Sequence, residues 1–131
     1  MSFQMYVPTR ILFGKGQLEG LHKQKLPGKK AMIVISNGKS TKRNGALEKT
    51  EKELKLAGAE TVLFDKIMPN PLKQTIMEGA AFAKENHCDF IVALGGGSVM
   101  DASKAIAAMA ANDGDLWDYI SGGTGKGLPL V

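Results

Sequence analysis

The stretch of this sequence best suited to chemistry is a run of three glycines and a serine: Gly95, Gly96, Gly97 and Ser98. An unbroken apolar run over residues 90–94 precedes it, which is typical of a strand buried on both faces of a parallel sheet. Apolar residues then recur at three- and four-residue steps over 99–110, which predicts a helix. Glycines let a ligand approach the backbone, and the unpaired N–H groups at a helix start attract an anion. The segment is therefore predicted to bind phosphate.

A purely structural role for the same residues stays open. Ser98 with Asp101 three places later is close to a capping box, and glycines are common in any tight turn between a strand and a helix. The dinucleotide fingerprint G-x-G-x-x-G is incomplete, because Met100 stands in the place of the third glycine. Residues 38–40, Gly-Lys-Ser, do not make a P-loop, because Ile33 occupies the position of the glycine required five places earlier.

The elements that must position this loop follow from two other apolar runs, residues 31–35 and 61–64, which predict buried parallel strands. Between and beside the strands, helices are predicted at 17–23, at 44–58 and from near Pro71. Such an alternation of strands and helices predicts an α/β fold with a doubly wound, mainly parallel sheet.

The two ends of the chain have different patterns. Residues 1–13 alternate loosely between apolar and polar, which predicts a strand pair or an edge hairpin. Residues 121–127 are rich in glycine and are predicted to be a flexible loop, and 128–131 resemble the beginning of another strand.

The composition is that of one globular domain, with 44% hydrophobic and 23% charged residues in 131. A single cysteine, Cys88, excludes an internal disulfide framework, and no apolar stretch is long enough to span a bilayer. We therefore expect a cytoplasmic protein that does not interact with membranes.

Residues 23–55 hold ten Lys or Arg against three Glu, but no aromatic residue that could stack on bases, so no nucleic acid is expected as a partner.

Several segments resemble one known family. The glycine run with Asp101 and Lys104 resembles the G-G-G-S-x-x-D-x-x-K segment of the iron-containing (group III, metal-dependent) alcohol dehydrogenases. Residues 9–16 resemble that family's T-x-I-x-F-G-x-G entry, 69–71 its P-N-P turn, and 115–119, DLWDY, the stretch that follows the glycine helix. The matches extend over essentially the whole chain, yet over only the N-terminal third or so of a family enzyme.

The resemblance implies that residues 1–131 are a truncated NAD(P)-binding domain, Rossmann-like and similar to the N-terminal domain of dehydroquinate synthase. The parent, most like the butanol dehydrogenases, would transfer a hydride between NAD(P)(H) and an alcohol or aldehyde. A divalent metal, iron or zinc, would be held by a helical C-terminal domain absent here, so this chain holds no catalytic residue and is expected to be inactive alone. A relative similar to glycerol dehydrogenase or dehydroquinate synthase, or a stand-alone non-catalytic nucleotide-binding module, remains an alternative.

By the same resemblance, the glycine run binds the pyrophosphate of the cofactor, and Asp101 lies near its nicotinamide end. Asn70, held between two prolines, either turns its amide to the cofactor or caps a helix. For Lys104, a simple pairing with Asp101 is the open alternative. Gly38 stands where the family often has an aspartate that binds the adenosine ribose. An aspartate would repel a 2′-phosphate, so Gly38 with Lys39 and Ser40 favours NADP(H) over NAD(H), unless Gly38 only makes a turn.

No metal site is predicted in this chain. His22 is isolated, and the adjacent His87, Cys88 and Asp89 cannot all converge on one ion.

The partner of interest is another copy of the chain: the family's dimers suggest that Met5, Tyr6 and Ile11 lie on an edge strand that forms a homodimer.

Overall fold

Residues 1–120 are described by a computed structural model, and their core is one parallel sheet. Its strands are β1 (Lys30–Ser36), β2 (Glu60–Ile67) and β3 (Phe90–Ala93). The strand order is β2-β1-β3, and both pairs are parallel. The three predicted strands are thus confirmed, with β1 at the centre. The predicted loop at 121–127 and the strand at 128–131 lie outside the described residues.

Within residues 1–120, six helical segments surround the sheet: a 3₁₀ helix (Gln17–Lys23), α1 (Ser40–Arg43), α2 (Ala46–Leu56), α3 (Lys73–Glu85), α4 (Gly97–Ala111) and α5 (Leu116–Ile120). The short α1 was not predicted. α2 begins two residues later than expected, because the Asn44 side-chain oxygen accepts a hydrogen bond from the N–H of Ala46 at 2.9 Å. α3 begins at Lys73, two residues beyond Pro71.

Both faces of the sheet are covered, as the apolar runs predict. Met32 and Val34 of β1 are fully buried on one face, in a cluster with side chains of α3 and α4. Ala31, Ile33 and Ile35 are fully buried on the other face, where α2 supplies the facing side chains. The period-two alternation of a strand therefore divides a continuous apolar run between two layers of helix. The fold is the predicted doubly wound α/β arrangement.

Small residues allow α3 to pack closely on α4. Gly79 is buried on α3, and a Cβ at this position would lie 2.7 Å from the Cδ1 atom of Ile106 and 3.2 Å from Cε1 of Phe64. The 2.7 Å distance is shorter than real Cβ atoms show, and 3.2 Å is a tight contact. The space beside Gly79 is therefore already filled. This contact helps to fix α4, whose first turn follows the glycine run.

The starts of β1 and β3 are joined by one carboxylate. Asp89 accepts hydrogen bonds from the backbone N–H groups of Lys29 and Lys30, each at 2.9 Å. Partial burial opposes ionisation, but these N–H groups prevail and lower the pKa of Asp89. Gly28 leaves the room for this arrangement, since a Cβ there would overlap the Asp89 carboxylate.

The predicted strand pair in residues 1–13 is wrong: no strand includes this segment in the structure of residues 1–120. Its backbone makes one internal hydrogen bond, from the N–H of Thr9 to the carbonyl of Val7 at 2.8 Å. Pro8 cannot donate, and an isolated hairpin without a packed face is marginally stable. The alternating pattern is real, but its apolar side chains are exposed, with Phe3 at 86% and Ile11 at 80%.

Candidate functional site

The carboxyl ends of the three parallel strands meet at one edge of the sheet, and a cleft of about 210 Å³ opens there. Such an edge is the usual position of ligand sites in open α/β sheets. None of the lining residues among those the structure describes is acidic, and four carry hydroxyl groups. The lining consists of Ser36, Ser40, Thr41, Ile67, Met68, Pro69, Gly95, Gly96, Gly97, Ser98 and Val99.

The glycine run forms one wall of this cleft. A Cβ at Gly95 would lie 2.9 Å from the Cγ2 atom of Val99, so only glycine fits between β3 and the first turn of α4. Added Cβ atoms at Gly96 and Gly97 would meet nothing within 4 Å. These two positions therefore border open space, into which any larger side chain would project.

The start of α4 faces the same cleft with unused hydrogen-bond donors. The first intrahelical hydrogen bond runs from the N–H of Met100 to the carbonyl of Gly96 at 3.0 Å, so the N–H groups of residues 97–99 precede the helical ladder. Gly96 is the N-cap, and no side chain caps the helix in the part of the chain described. Ser98 lies inside the helix, so its interpretation as a capping residue is wrong.

The opposite wall is built by the end of β1 and by α1. The register between β1 and β2 shifts here: Val34 pairs with Phe64, but Ser36 pairs with Ile67. α1 follows, and its Lys42 donates a hydrogen bond to Asp65 of β2 at 2.8 Å. This hydrogen bond lowers the pKa of Asp65. The contact attaches α1 to the sheet and thereby positions the hydroxyl-bearing residues of α1.

The structure brings only some of the predicted site residues to the cleft. Ser40, Ser98 and the glycine run line it, whereas Gly38, Lys39, Asn70 and Asp101 do not. Gly38 is nevertheless near, because a Cβ there would lie 3.5 Å from the Ser36 oxygen.

Asn70 and Asp101 both lie outside the cleft lining. Asn70 is exposed, with φ at 54°, beside Pro69, which does line the cleft. Asn70 does not cap α3, whose N-cap is Leu72. Asp101 is exposed and pairs with Lys104 at 3.4 Å, as the alternative interpretation of Lys104 anticipated.

Sequence reasoning missed Thr41, Ile67 and Met68 as lining residues. Thr41 belongs to a helix of four residues, too short to give a periodic pattern. Ile67 and Met68 end and follow a strand, and only the sheet order shows that this strand end reaches the cleft. The signal that could have found them is the rule that the carboxyl ends of parallel strands meet at one edge.

No group of three or more His, Cys, Asp or Glu side chains could hold a metal ion within residues 1–120. No helix among these residues is long and apolar enough to cross a membrane.

Residues 8–131 match the sequence model of the family "Iron-containing alcohol dehydrogenase". The chain belongs to this family. Among its relatives is a probable NADH-dependent butanol dehydrogenase 2 of Bacillus subtilis, 44% identical over 121 residues. The match covers 92% of the chain and 31% of the relative. An NADPH-dependent aldehyde reductase of Escherichia coli is 39% identical, over 83% of the chain and 27% of that protein.

A solved structure of the same family has the same fold. The NADH-dependent butanol dehydrogenase A of Thermotoga maritima superposes with a TM-score of 0.88 at 33% identity, over 98% of the chain and 33% of that structure. This likeness confirms the α/β fold class. The chain spans about a third of the length of the relatives it matches.

The residues of the cleft fit the phosphate part of a nicotinamide dinucleotide. A cleft of about 210 Å³ is smaller than the roughly 300–1,000 Å³ of sites for whole ligands, so it suits one portion of a dinucleotide. Open space beside Gly96 and Gly97 and the free donors of α4 suit an anion. The absence of acidic lining residues in the described cleft is consistent with a negatively charged ligand.

Proposed function

We propose that this chain is the nicotinamide-dinucleotide-binding part of an alcohol or aldehyde oxidoreductase. The observation that carries the proposal is the first turn of α4, which presents N–H groups to an open, glycine-lined cleft without any acidic residue among its described lining. Gly96 and Gly97 would let the pyrophosphate approach the backbone, and the positive end of the helix dipole would stabilise its charge. The bound cofactor supplies the hydride that is exchanged with the substrate.

The proposed cofactor-binding residues fall into two groups. Ser98 and the glycine run would hold the pyrophosphate, and Ser40 would face it from the other wall of the cleft. Gly38, Lys39, Asn70 and Asp101, which lie outside the cleft lining, would meet the parts of a dinucleotide that extend beyond the pyrophosphate.

We propose NADP(H) as the preferred cofactor over NAD(H). Gly38 provides no carboxylate that would repel a 2′-phosphate, and Lys39 begins a segment rich in positive charge. Lys42 is paired with Asp65, but no carboxylate pairs with Lys39 or Arg43 in the described part of the chain. The relatives named above include both an NADH-dependent and an NADPH-dependent enzyme, so the preference rests on these residues.

A titration of the 131-residue chain with NADPH and NADH tests the proposal. Binding would be followed by the fluorescence of Trp117, which is 58% exposed, and by calorimetry. Gly96→Ala should weaken both cofactors by about tenfold or more, because its methyl group enters the space needed by the phosphate. Gly20→Ala is the matched control: its Cβ also meets nothing within 4 Å, but Gly20 lies in the 3₁₀ helix, outside the cleft lining. Equal affinities of the two variants would contradict the proposal.

For the parent enzyme we propose hydride transfer between this cofactor and a small alcohol or aldehyde. In the family resemblance, the metal that polarises the substrate oxygen belongs to a C-terminal domain. The 131 residues alone should therefore bind the cofactor without turning over butanol or butyraldehyde. A metal-dependent rate from the pure chain would contradict this division of roles.

We also propose a homodimer and a cytoplasmic location. The large exposed side chains of residues 1–13, among them Tyr6 at 84%, offer an apolar surface to a second copy. Analytical ultracentrifugation of the chain and of a form lacking residues 1–13 tests this.

The cytoplasmic location rests on the single cysteine, which indicates no dependence on disulfides.

A further inference from the structure

Thr41 carries an unexplained hydroxyl group. Its Oγ1 atom is buried and has no hydrogen-bond partner among residues 1–120, and the residue lines the cleft. Thr50 shows the usual local solution, since its hydroxyl donates to the carbonyl of Ala46, four residues earlier, at 2.8 Å. Thr41 cannot do the same, because α1 begins at Ser40 and provides no helical turn before it.

Buried hydroxyl groups in native proteins are nearly always paired, so an orphan of this kind indicates a missing partner. Thr41 stands on the wall opposite the glycine run, with Ser36 and Ser40 beside it. A threonine in a helix has two accessible χ1 rotamers, so the Thr41 hydroxyl can reorient when a partner binds beside it. A partner that fills the cleft would therefore satisfy it.

We propose that the Thr41 hydroxyl donates a hydrogen bond to a phosphate oxygen of the nucleotide held by the glycine run, and that it sets the affinity for that ligand. The inference rests on the proposed function, because it assigns a second wall to the same phosphate site. The helix start of α4 supplies backbone donors from one side, and Thr41 supplies a side-chain donor from the other. Hydrogen bonds to a charged oxygen are stronger than those between neutral groups.

The experiment compares Thr41→Val, Thr41→Ser and Thr75→Val in the 131-residue chain. Valine keeps the shape of threonine but removes the hydroxyl, and serine keeps the hydroxyl. Thr75, half-buried on α3 and outside the cleft lining, is the control for a threonine-to-valine change. The affinities for ADP and NADPH are measured by calorimetry, and the melting temperature of each ligand-free variant is measured separately.

Thr41→Val should weaken ADP and NADPH binding by about tenfold or more, whereas Thr41→Ser should stay within about threefold of the unchanged chain and Thr75→Val should have no effect. The ligand-free Thr41→Val chain should melt at the same or a higher temperature, because the change removes an unpartnered buried hydroxyl. A purely structural role would instead lower the melting temperature.

Two results overturn this inference alone, and a third overturns it together with the proposed function. If Thr41→Val binds ADP and NADPH as tightly as the unchanged chain while Gly96→Ala binds them weakly, Thr41 makes no phosphate contact and the proposed function stands. If Thr41→Val melts lower without its ligand, the hydroxyl serves the fold. Failure of the unchanged, folded chain to bind either nucleotide would overturn the proposed function and this inference together.

Discussion

A single oxygen of Glu53 holds His22 by two contacts. Its Oε2 atom lies 2.5 Å from the imidazole Nδ1 and accepts a hydrogen bond from the backbone N–H of the same histidine at 3.0 Å. Glu53 is buried on α2, and His22 belongs to the 3₁₀ helix. The backbone hydrogen bond and then the imidazole lower the pKa of Glu53. This pair attaches the N-terminal helix to the body of the fold.

We expect Glu53→Gln to lower the melting temperature at pH 7 by an amount on the order of a few degrees. The amide keeps one oxygen that accepts from the His22 N–H, but it loses the charge that strengthens both contacts. Glu51→Gln, on the same helix and without an ion pair among the contacts described, is the control. Equal melting temperatures for the two variants would show that the pair contributes nothing to stability.

Asp89 should make the protein sensitive to acid. Because the folded-state pKa of Asp89 is lowered, its stabilising contribution is present above the unfolded pKa of about 4 and is lost as the pH falls through the folded value. Asp89→Asn should lower the melting temperature at pH 7. Below about pH 4, the melting temperature of this variant should fall less than that of the unchanged chain. Asp113→Asn is the control, since the Asp113 side chain is fully exposed and lies 4.0 Å from Lys84. Parallel pH profiles for Asp89→Asn and the unchanged chain would contradict the assignment.

A methyl group at Gly79 should be tolerated poorly, and most poorly while Ile106 keeps its Cδ1 atom. Overpacking a core costs about 1–3 kcal/mol of stability, whereas alanine is up to about 1 kcal/mol more favourable than glycine inside a helix. Gly79→Ala should therefore lower the free energy of unfolding by about 1 kcal/mol, as measured in urea. In an Ile106→Val background, which removes the nearest atom, the same change should cost less, although Cγ1 of residue 106 and Cε1 of Phe64 stay close, at 3.1 Å and 3.2 Å. An equal cost in both backgrounds would place the strain elsewhere.

Gly38→Asp should change the cofactor preference. A side chain fits at this position without a clash, since its Cβ would lie 3.5 Å from the Ser36 oxygen. The new carboxylate should repel a 2′-phosphate and accept hydrogen bonds from ribose hydroxyls, so NADPH binding should weaken by about tenfold or more while NADH binding holds or tightens. Gly20→Asp introduces the same charge in the 3₁₀ helix and should affect neither cofactor. Equal weakening of both cofactors by Gly38→Asp would contradict the proposed role of Gly38.

The sequence allowed the core of the fold to be predicted because its signals are local. β1 and β3 are continuous apolar runs, and the stripe of α4 follows directly from the spacing of Val99, Ala102 and Ile106, all of which are buried. The glycine run was also visible as a strand-to-helix loop. These features require only the periods of helix and strand.

The remaining features depend on contacts between distant segments. Thr41 lies in the cleft lining, and the contact of the neighbouring Lys42 with Asp65, twenty-three residues away in sequence, helps to hold α1 there. Residues 1–13 have an alternating pattern, but a strand also needs a hydrogen-bonding partner, which no pattern within the segment supplies. Asn70 has a left-handed backbone conformation, which sets the direction of its side chain and which spacing does not reveal.

The register shift at the end of β1 has a consequence for how this protein can change in length. Between the pairs Val34–Phe64 and Ser36–Ile67, β1 has one residue and β2 has two, Asp65 and Lys66. Removing either would make the ladder regular and would leave Phe64 and Ile67 two residues apart, a spacing that still places both side chains in the same core cluster on one face of the sheet. Ile67, which is fully buried, would therefore keep its place in the core and at the cleft wall. The strand can therefore lose one residue at the bulge without exchanging its faces, whereas a deletion in the regular part of the ladder, between Glu60 and Phe64, would exchange inward and outward positions.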